Sequence, residues 1–424
     1  MTPPLRALLV APFFPPRARV GALRAQRFHE WLPHEAVEPT VICIAQPGDP
    51  NDDPGILRVR TPFDRTSGGG SQSDLGKGIR SQRRRTPLDD AADAVDRLTP
   101  VDTWLPLLMG NLPAMERFAR RRRVQVVWST ANPWSSHVVG CLLARRLGVP
   151  WIADYRDPWT LDPLSQSQRP KLVRGVDARI ERALLEQASA VIFTSWETER
   201  RYVEAFPFIA GRTRVLTNSF RPNQGSSPSS GTPAKTLELL FFGRFRDTSP
   251  ADLWIEALAR LRRTRPEKAA ALRIRSVGGL STADLTTAKA VGVDDLFESI
   301  EPVPYASAQA RLQLADGLIL SLGEVRTDVI PAKLWDYLPV GRPIIAPVHN
   351  PDVHRVLRET GTGVSMAPDA QALADWLDTA VVWRDQGWLL ETPYAPDLDA
   401  IAAFGADRSA AALARLMRAV VERC

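Results

Sequence analysis

"DVIPAKLWDYLPVGRP", residues 328–343, sits between two apolar runs, "GLILSLG" before it and "RPIIAP" at its end. Read as strand, loop, short helix, turn and strand, it is one unit of a parallel sheet, because runs that are apolar throughout need cover on both faces. Pro331 suits the first turn of the helix, where its missing N–H costs nothing, and the helix through "AKLWDYL" should stop before Pro339-Val340-Gly341. Asp328 stays in the loop ahead of that helix. Asp336 lies inside it, about 7–8 Å beyond Pro331 along the axis.

The same alternation extends in both directions. "RALLVAP", "PTVICIA", "VQVVWST", "PWIADY", "SAVIFTS" and "TRVLTN" read as buried strands, with helical stretches such as "GALRAQRFHEWLP" and "SSHVVGCLLARRLG" between them. The pattern breaks at 221–235, "RPNQGSSPSSGTPAK", whose composition is that of an interdomain linker. It restarts with "LELLFFGRF", "LRIRSVGG", "FESIEPV", "GLILSLG" and "RPIIAP". The expectation is an α/β chain of two doubly wound, Rossmann-like domains, at 1–220 and 236–395, followed by a helical segment at 396–424. In that last segment Leu413, Met417 and Val421 share one helical face. A long polar insertion, 64–100, with a glycine run and an arginine triplet, interrupts the first domain and reads as flexible.

Bulk properties narrow the function classes. A chain of 424 residues exceeds what one core usually supports, and 44% hydrophobic with 24% charged residues is ordinary for a folded soluble protein. No apolar run approaches the roughly 18 residues of a spanning helix. The start, "MTPPLRALLVAPFFPP", reads as a first buried strand and not as a signal peptide. Cys43, Cys141 and Cys424 are odd in number and far apart, which fits a reduced, cytoplasmic compartment and argues against a metal site. Residues 1–224 carry +9 and the remainder −3, within a total of +6. A basic first half invites an anionic partner, with a phospholipid surface, a lipid-linked phosphate and nucleic acid as candidates. No nucleic-acid recognition motif accompanies the arginines.

The chemistry gathers after the strands of the second domain. Gly243 follows "LELLFF", where a glycine lets a phosphate approach the backbone, and Arg244 beside it offers a planar fork to a diphosphate. The start of the 332–338 helix presents free N–H groups, and Lys333 in its first turn opposes the helix dipole unless it faces an anion. A diphosphate there, with a sugar hydroxyl at Asp328 and ribose hydroxyls at Asp336, is a coherent arrangement.

These residues resemble the carboxylate-x7-carboxylate motif of the retaining nucleotide-sugar glycosyltransferases of family 4, whose fold is GT-B: two Rossmann-like domains facing across a cleft. "IPAKLWDYLPVGRPIIAP" is similar to a widespread form of that segment. "APFFPPRARVGALRAQRFHEWLP", "PWIADYRDPWT", "EQASAVIFTSWETERRYV" and "VPYASAQARLQLADGLILSLG" resemble other family segments in order and spacing. The resemblance implies a metal-independent transferase that needs no cofactor beyond its nucleoside-diphosphate-sugar co-substrate. Gly21, Gly243, Arg244, Arg246, Asp328, Lys333, Leu334 and Asp336 would bind the donor, with Arg244, Lys333 and Asp328 catalytic. Departure of the diphosphate would itself assist deprotonation of the acceptor. Arg24, Trp134, His137, Arg156 and Asp157 are the acceptor-side candidates, with Asp157 able to orient or deprotonate the acceptor hydroxyl. Domain closure would bring acceptor and donor together. The acceptor is expected to be a saccharide or lipid-linked glycan, handled in the cytoplasm or peripherally at the inner face of the membrane.

The chain also departs from the family. Both acids are Asp where the family usually has Glu, Gly21 stands alone where a glycine pair is common, and Arg246 takes the place of a lysine after Gly243. Arg156-Asp157 occupies the position of an acceptor-domain histidine. Two rival readings stay open: an epimerase of nucleotide-linked sugars, and a non-catalytic binding protein on the same fold.

Overall fold

The computed structural model describes residues 3–16, 20–45, 49, 53–60, 94–222, 235–246, 248–300, 305–323, 327–385 and 387–423. Two units emerge. One takes in the described residues as far as Ser219 together with those from Ala406 onward; the other is Phe220–Gly405. Nearly all of the expected linker and most of the 64–100 insertion lie outside the described residues, as does Cys424. Residues 94–98 of the insertion are helical.

The first unit is built on seven strands: β1 (Leu5–Val10), β2 (Val37–Ile44), β3 (Ile56–Val59), β4 (Val126–Ala131), β5 (Trp151–Tyr155), β6 (Ala190–Phe193) and β7 (Thr213–Val215). Their order is β3-β2-β1-β4-β5-β6-β7, and every neighbouring pair is parallel. All six residues of β4 are buried, as a central strand with helices on both faces requires. Winding reverses between β1 and β4, so the loops after these strands diverge at a topological switch point, the place where open parallel sheets take ligands. α1 (Val20–Trp31) follows the first loop and the helix Ser135–Leu147 the second.

Close packing of the Ser135–Leu147 helix on β4 and β5 depends on Gly140. A Cβ there would lie 2.7 Å from the Ser129 Cβ and 3.0 Å from the Trp151 indole nitrogen. Gly140→Val is therefore expected to cost about 2–3 kcal/mol by prying the helix off β4. A urea midpoint equal to that of the wild type would contradict this packing.

The second unit has a six-stranded sheet in the order β10-β9-β8-β11-β12-β13, again with all pairs parallel. The strands are β8 (Leu237–Phe241), β9 (Leu272–Val277), β10 (Phe297–Ile300), β11 (Gly317–Ile319), β12 (Ile344–Pro347) and β13 (Gly363–Met366). Here the winding reverses between β8 and β11. A hairpin of β14 (Val381–Arg384) and β15 (Gly387–Leu390) is antiparallel.

The expected 396–424 segment divides between the units. Its last helix, Ala406–Val421, belongs to the first, where Leu413, Ala414, Met417 and Val420 share a core with Ala25 and Phe28 of α1. Among the described residues, no helix is long and apolar enough to cross a membrane.

Candidate active site

In the second unit, three chain segments come together at the carboxyl ends of β8 and β9. β8 ends at Phe241 and is followed by Phe242 and Gly243. Gly243 adopts φ +150°, and a Cβ on it would lie 2.8 Å from Cε of Lys333. Lys333 comes from the short helix Ala332–Tyr337, and its ammonium lies 4.6 Å from the centroid of the Phe241 ring. Phe241 is itself buried and stacked on Phe245 at 4.3 Å, so the ring beneath the ammonium is fixed. The half-buried setting pulls the amine down to about 8. Lost hydration is the main cause and the Arg246 guanidinium adds to it, while Asp336 pulls the other way.

Arg244 stands over a second glycine position, just past the end of β9. Gly278, at φ +92°, faces Cβ of Arg244 at 3.3 Å from where its own Cβ would be. The Gly278-Gly279 pair after β9 is the signal that would have found it. Tyr337, another residue that sequence reasoning passed over, accepts a 2.9 Å hydrogen bond at its hydroxyl from the Phe242 N–H, which moors the helix to the end of β8.

The helix is shorter than expected. Pro331 is its N-cap, with extended ψ of 137°, and the chain tightens into a 3-10 turn over Leu338–Val340 before Gly341 ends it in the left-handed region. Asp328 is buried in the preceding loop and Asp336 half-buried on the helix. Leu334 is fully buried, and its N–H goes to the Pro331 carbonyl, so its side chain serves the core.

In the first unit the acceptor-side candidates separate into those at the surface of the switch point and those beneath it. Arg24 is buried. Its Nε and Nη2 pair with both oxygens of Asp154 at 2.9 and 2.7 Å, and further donors reach the carbonyls of Leu216 and Thr217. This guanidinium is committed to the fold, because a buried ion pair that lost one partner would strand the other. His137 is also buried. Its Nδ1 lies 2.8 Å from the Ser129 hydroxyl, and burial, with Arg156 nearby, depresses it to about 3, so it stays neutral. Trp159 is buried under Trp134, the two rings parallel within 4° at 5.1 Å. Trp134 is half-exposed, and so is Asp157.

Beneath the 156–162 loop lies a polar network with no sequence signature. Glu181, fully buried on the helix Lys171–Gln187, accepts from the Tyr202 hydroxyl at 2.7 Å, from the Thr160 N–H at 3.3 Å and from the Thr160 hydroxyl. The same Tyr202 oxygen accepts from the Trp159 N–H at 2.7 Å. Burial raises the Glu181 carboxyl to about 7 despite these bonds. Among the described residues, no three His, Cys, Asp or Glu side chains come together as metal ligands.

With this geometry in place, comparison with known proteins is informative. Residues 21–219 match the family described as glycosyl transferase 4-like domain. A D-inositol 3-phosphate glycosyltransferase of Arthrobacter sp. (strain FB24) is 26% identical over 301 residues, covering 66% of this chain and 68% of the relative. Sucrose-phosphate synthase from Thermosynechococcus elongatus superposes with a TM-score of 0.67 at 16% identity, covering 99% of this chain and 100% of that one. Anabaena Alr3699/HepE, solved in complex with UDP and glucose, gives a TM-score of 0.53 at 15% identity, with 99% and 98% covered.

Proposed function

We propose that this chain, a family 4-like glycosyltransferase with the GT-B fold, moves a sugar from a nucleoside diphosphate to a hydroxyl acceptor with retention of configuration. One observation carries the reading: Gly243 and Lys333 meet at the switch point of the second unit, so that bare backbone and a cation stand side by side. A diphosphate needs both, close approach to the chain and a positive charge unscreened by bulk water. The relative solved with UDP and glucose supports a donor of this class.

The acceptor oxygen bonds to the anomeric carbon as the bond from that carbon to the diphosphate breaks, and the hydroxyl proton passes to the departing diphosphate. Lys333 and Arg244 take up the charge that builds on it, in the role a metal ion plays in other transferases. Asp336 holds the ribose hydroxyls and Asp328 those of the sugar, each reaching one methylene less than the Glu usual at these positions. In the first unit the half-exposed Trp134 offers a stacking face to a saccharide, and Asp157 orients its hydroxyl. The positive charge of the chain's first half fits acceptors that are anionic or lipid-linked, as in envelope polysaccharide or glycolipid assembly.

Proton NMR of the product tests the mechanism. An α-linked donor should yield an α-linked product, and Asp336→Ala should lower kcat/KM for the donor about 10- to 100-fold, the worth of a hydrogen bond to a charged group. A β product would overturn retention. Unchanged kinetics would remove Asp336 from the site.

A further inference from the structure

Arg156 closes β5, next to Asp157, and its guanidinium reaches three carbonyls. Nε donates to Ala131 at 2.6 Å, Nη2 to Asn132 at 2.5 Å, and Nη1 to Gly21. Ala131 and Asn132 lead from β4 into the turn that carries Trp134, and Gly21 lies in the first turn of α1. One side chain thus ties together both loops of the switch point and the loop of Asp157. Gly21 is shaped to this group: a Cβ there would fall 2.6 Å from Nη1, 3.2 Å from Nη2 and 3.3 Å from Cζ, so an edge of the guanidinium takes the space that a side chain would fill.

We infer that Arg156 is a positioning residue for the acceptor side, and that Gly21 is glycine to admit the Arg156 guanidinium and not to admit a donor phosphate. The inference rests on the reading of Trp134 and Asp157 as acceptor-side groups. Arginine is required because a planar fork spans carbonyls lying in three directions, which the compact ammonium of lysine cannot bridge. The contacts of Arg24 just below, to Asp154 and to the Leu216 and Thr217 carbonyls, keep α1 and β5 in register beneath the clip. Removing the clip should free the Trp134 and Asp157 loops without unfolding the unit.

The test compares wild type, Arg156→Lys, Gly21→Ala and the double variant by hydrogen exchange and by titration with UDP, GDP, ADP, dTDP and CDP. Each single variant should speed exchange in residues 131–137 and 155–160 at least tenfold, and the double variant no further than either one, since both break the same contact. The affinity of whichever diphosphate binds the wild type should stay within about twofold. In transfer assays kcat should fall at least tenfold with the donor KM unchanged, and lysine should not rescue it. If Gly21→Ala leaves exchange at 131–137 untouched, or weakens the diphosphate tenfold as a phosphate-contacting glycine would, the inference is overturned. Should no diphosphate bind the wild type, the donor reading fails, while the exchange measurement still decides this one.

Discussion

Lys333→Met is expected to lower kcat/KM for the sugar donor by about two to three orders of magnitude, the loss seen when one group stabilising a developing negative charge is removed. Methionine keeps much of the length and apolar body of the side chain, so packing over Phe241 and beside Gly243 survives while the charge goes. The wild type should also show a signature of this lysine in its pH profile. With the amine held near 8 in the free protein, donor capture weakens as pH rises through 8, and kcat/KM falls about tenfold per unit above it. A bound diphosphate favours the ammonium, so binding at pH 8 takes up protons from buffer. Lys333→Arg, which keeps its charge throughout this range, should move the limb beyond pH 9.5. A wild-type profile flat to that pH would show that this amine plays no part in donor capture.

The second large effect concerns Glu181. Its carboxyl is held up at about 7 in the folded chain against an ordinary value of 4.5, so between those values the folded state binds the proton more tightly than the unfolded one. The stabilisation is complete below about pH 4.5 and is lost as pH rises through 7. The gap corresponds to a few kcal/mol at about 1.4 kcal/mol per unit. Glu181→Gln preserves the shape and can still meet Tyr202 and Thr160. Its denaturation curves should match the wild type near pH 4.5, and it should become the more stable protein above pH 7. Taking the difference between the two proteins cancels the raised carboxyls that do not interact with Glu181, among them Asp102 and Asp316. Parallel stability curves would mean that Glu181 titrates normally.

Local pattern carried much of this fold. The runs "RALLVAP", "VQVVWST" and "LELLFF" are strands β1, β4 and β8 because central parallel strands are apolar on both faces and announce themselves. β3 and β13 went unread. "ILRV" is half-buried for most of its length and "GVSM" throughout, so neither shows a clean apolar run. The hairpin β14–β15 escaped for a related reason, its strands being short and partly exposed. At the site, Gly243 and Lys333 were legible one by one, each being an odd residue for its place in a strand end or a helix start. Partnerships across long stretches of chain were not. Arg24 with Asp154, Arg156 with Gly21, and Glu181 with Tyr202 come together only when the sheet is assembled. In the same way, the periodicity of Ala406–Val421 revealed an apolar face but not that the face packs on α1.

The measurement closest to the central claim is a thermal-shift panel of UDP, GDP, dTDP, ADP and CDP, with their common sugars, on wild type and Asp336→Ala. A ligand at 100-fold its dissociation constant adds about 2.7 kcal/mol to stability. One base should raise the melting midpoint of the wild type by several degrees and that of Asp336→Ala by much less. No shift from any of them would contradict the account and leave a binding protein on a transferase fold.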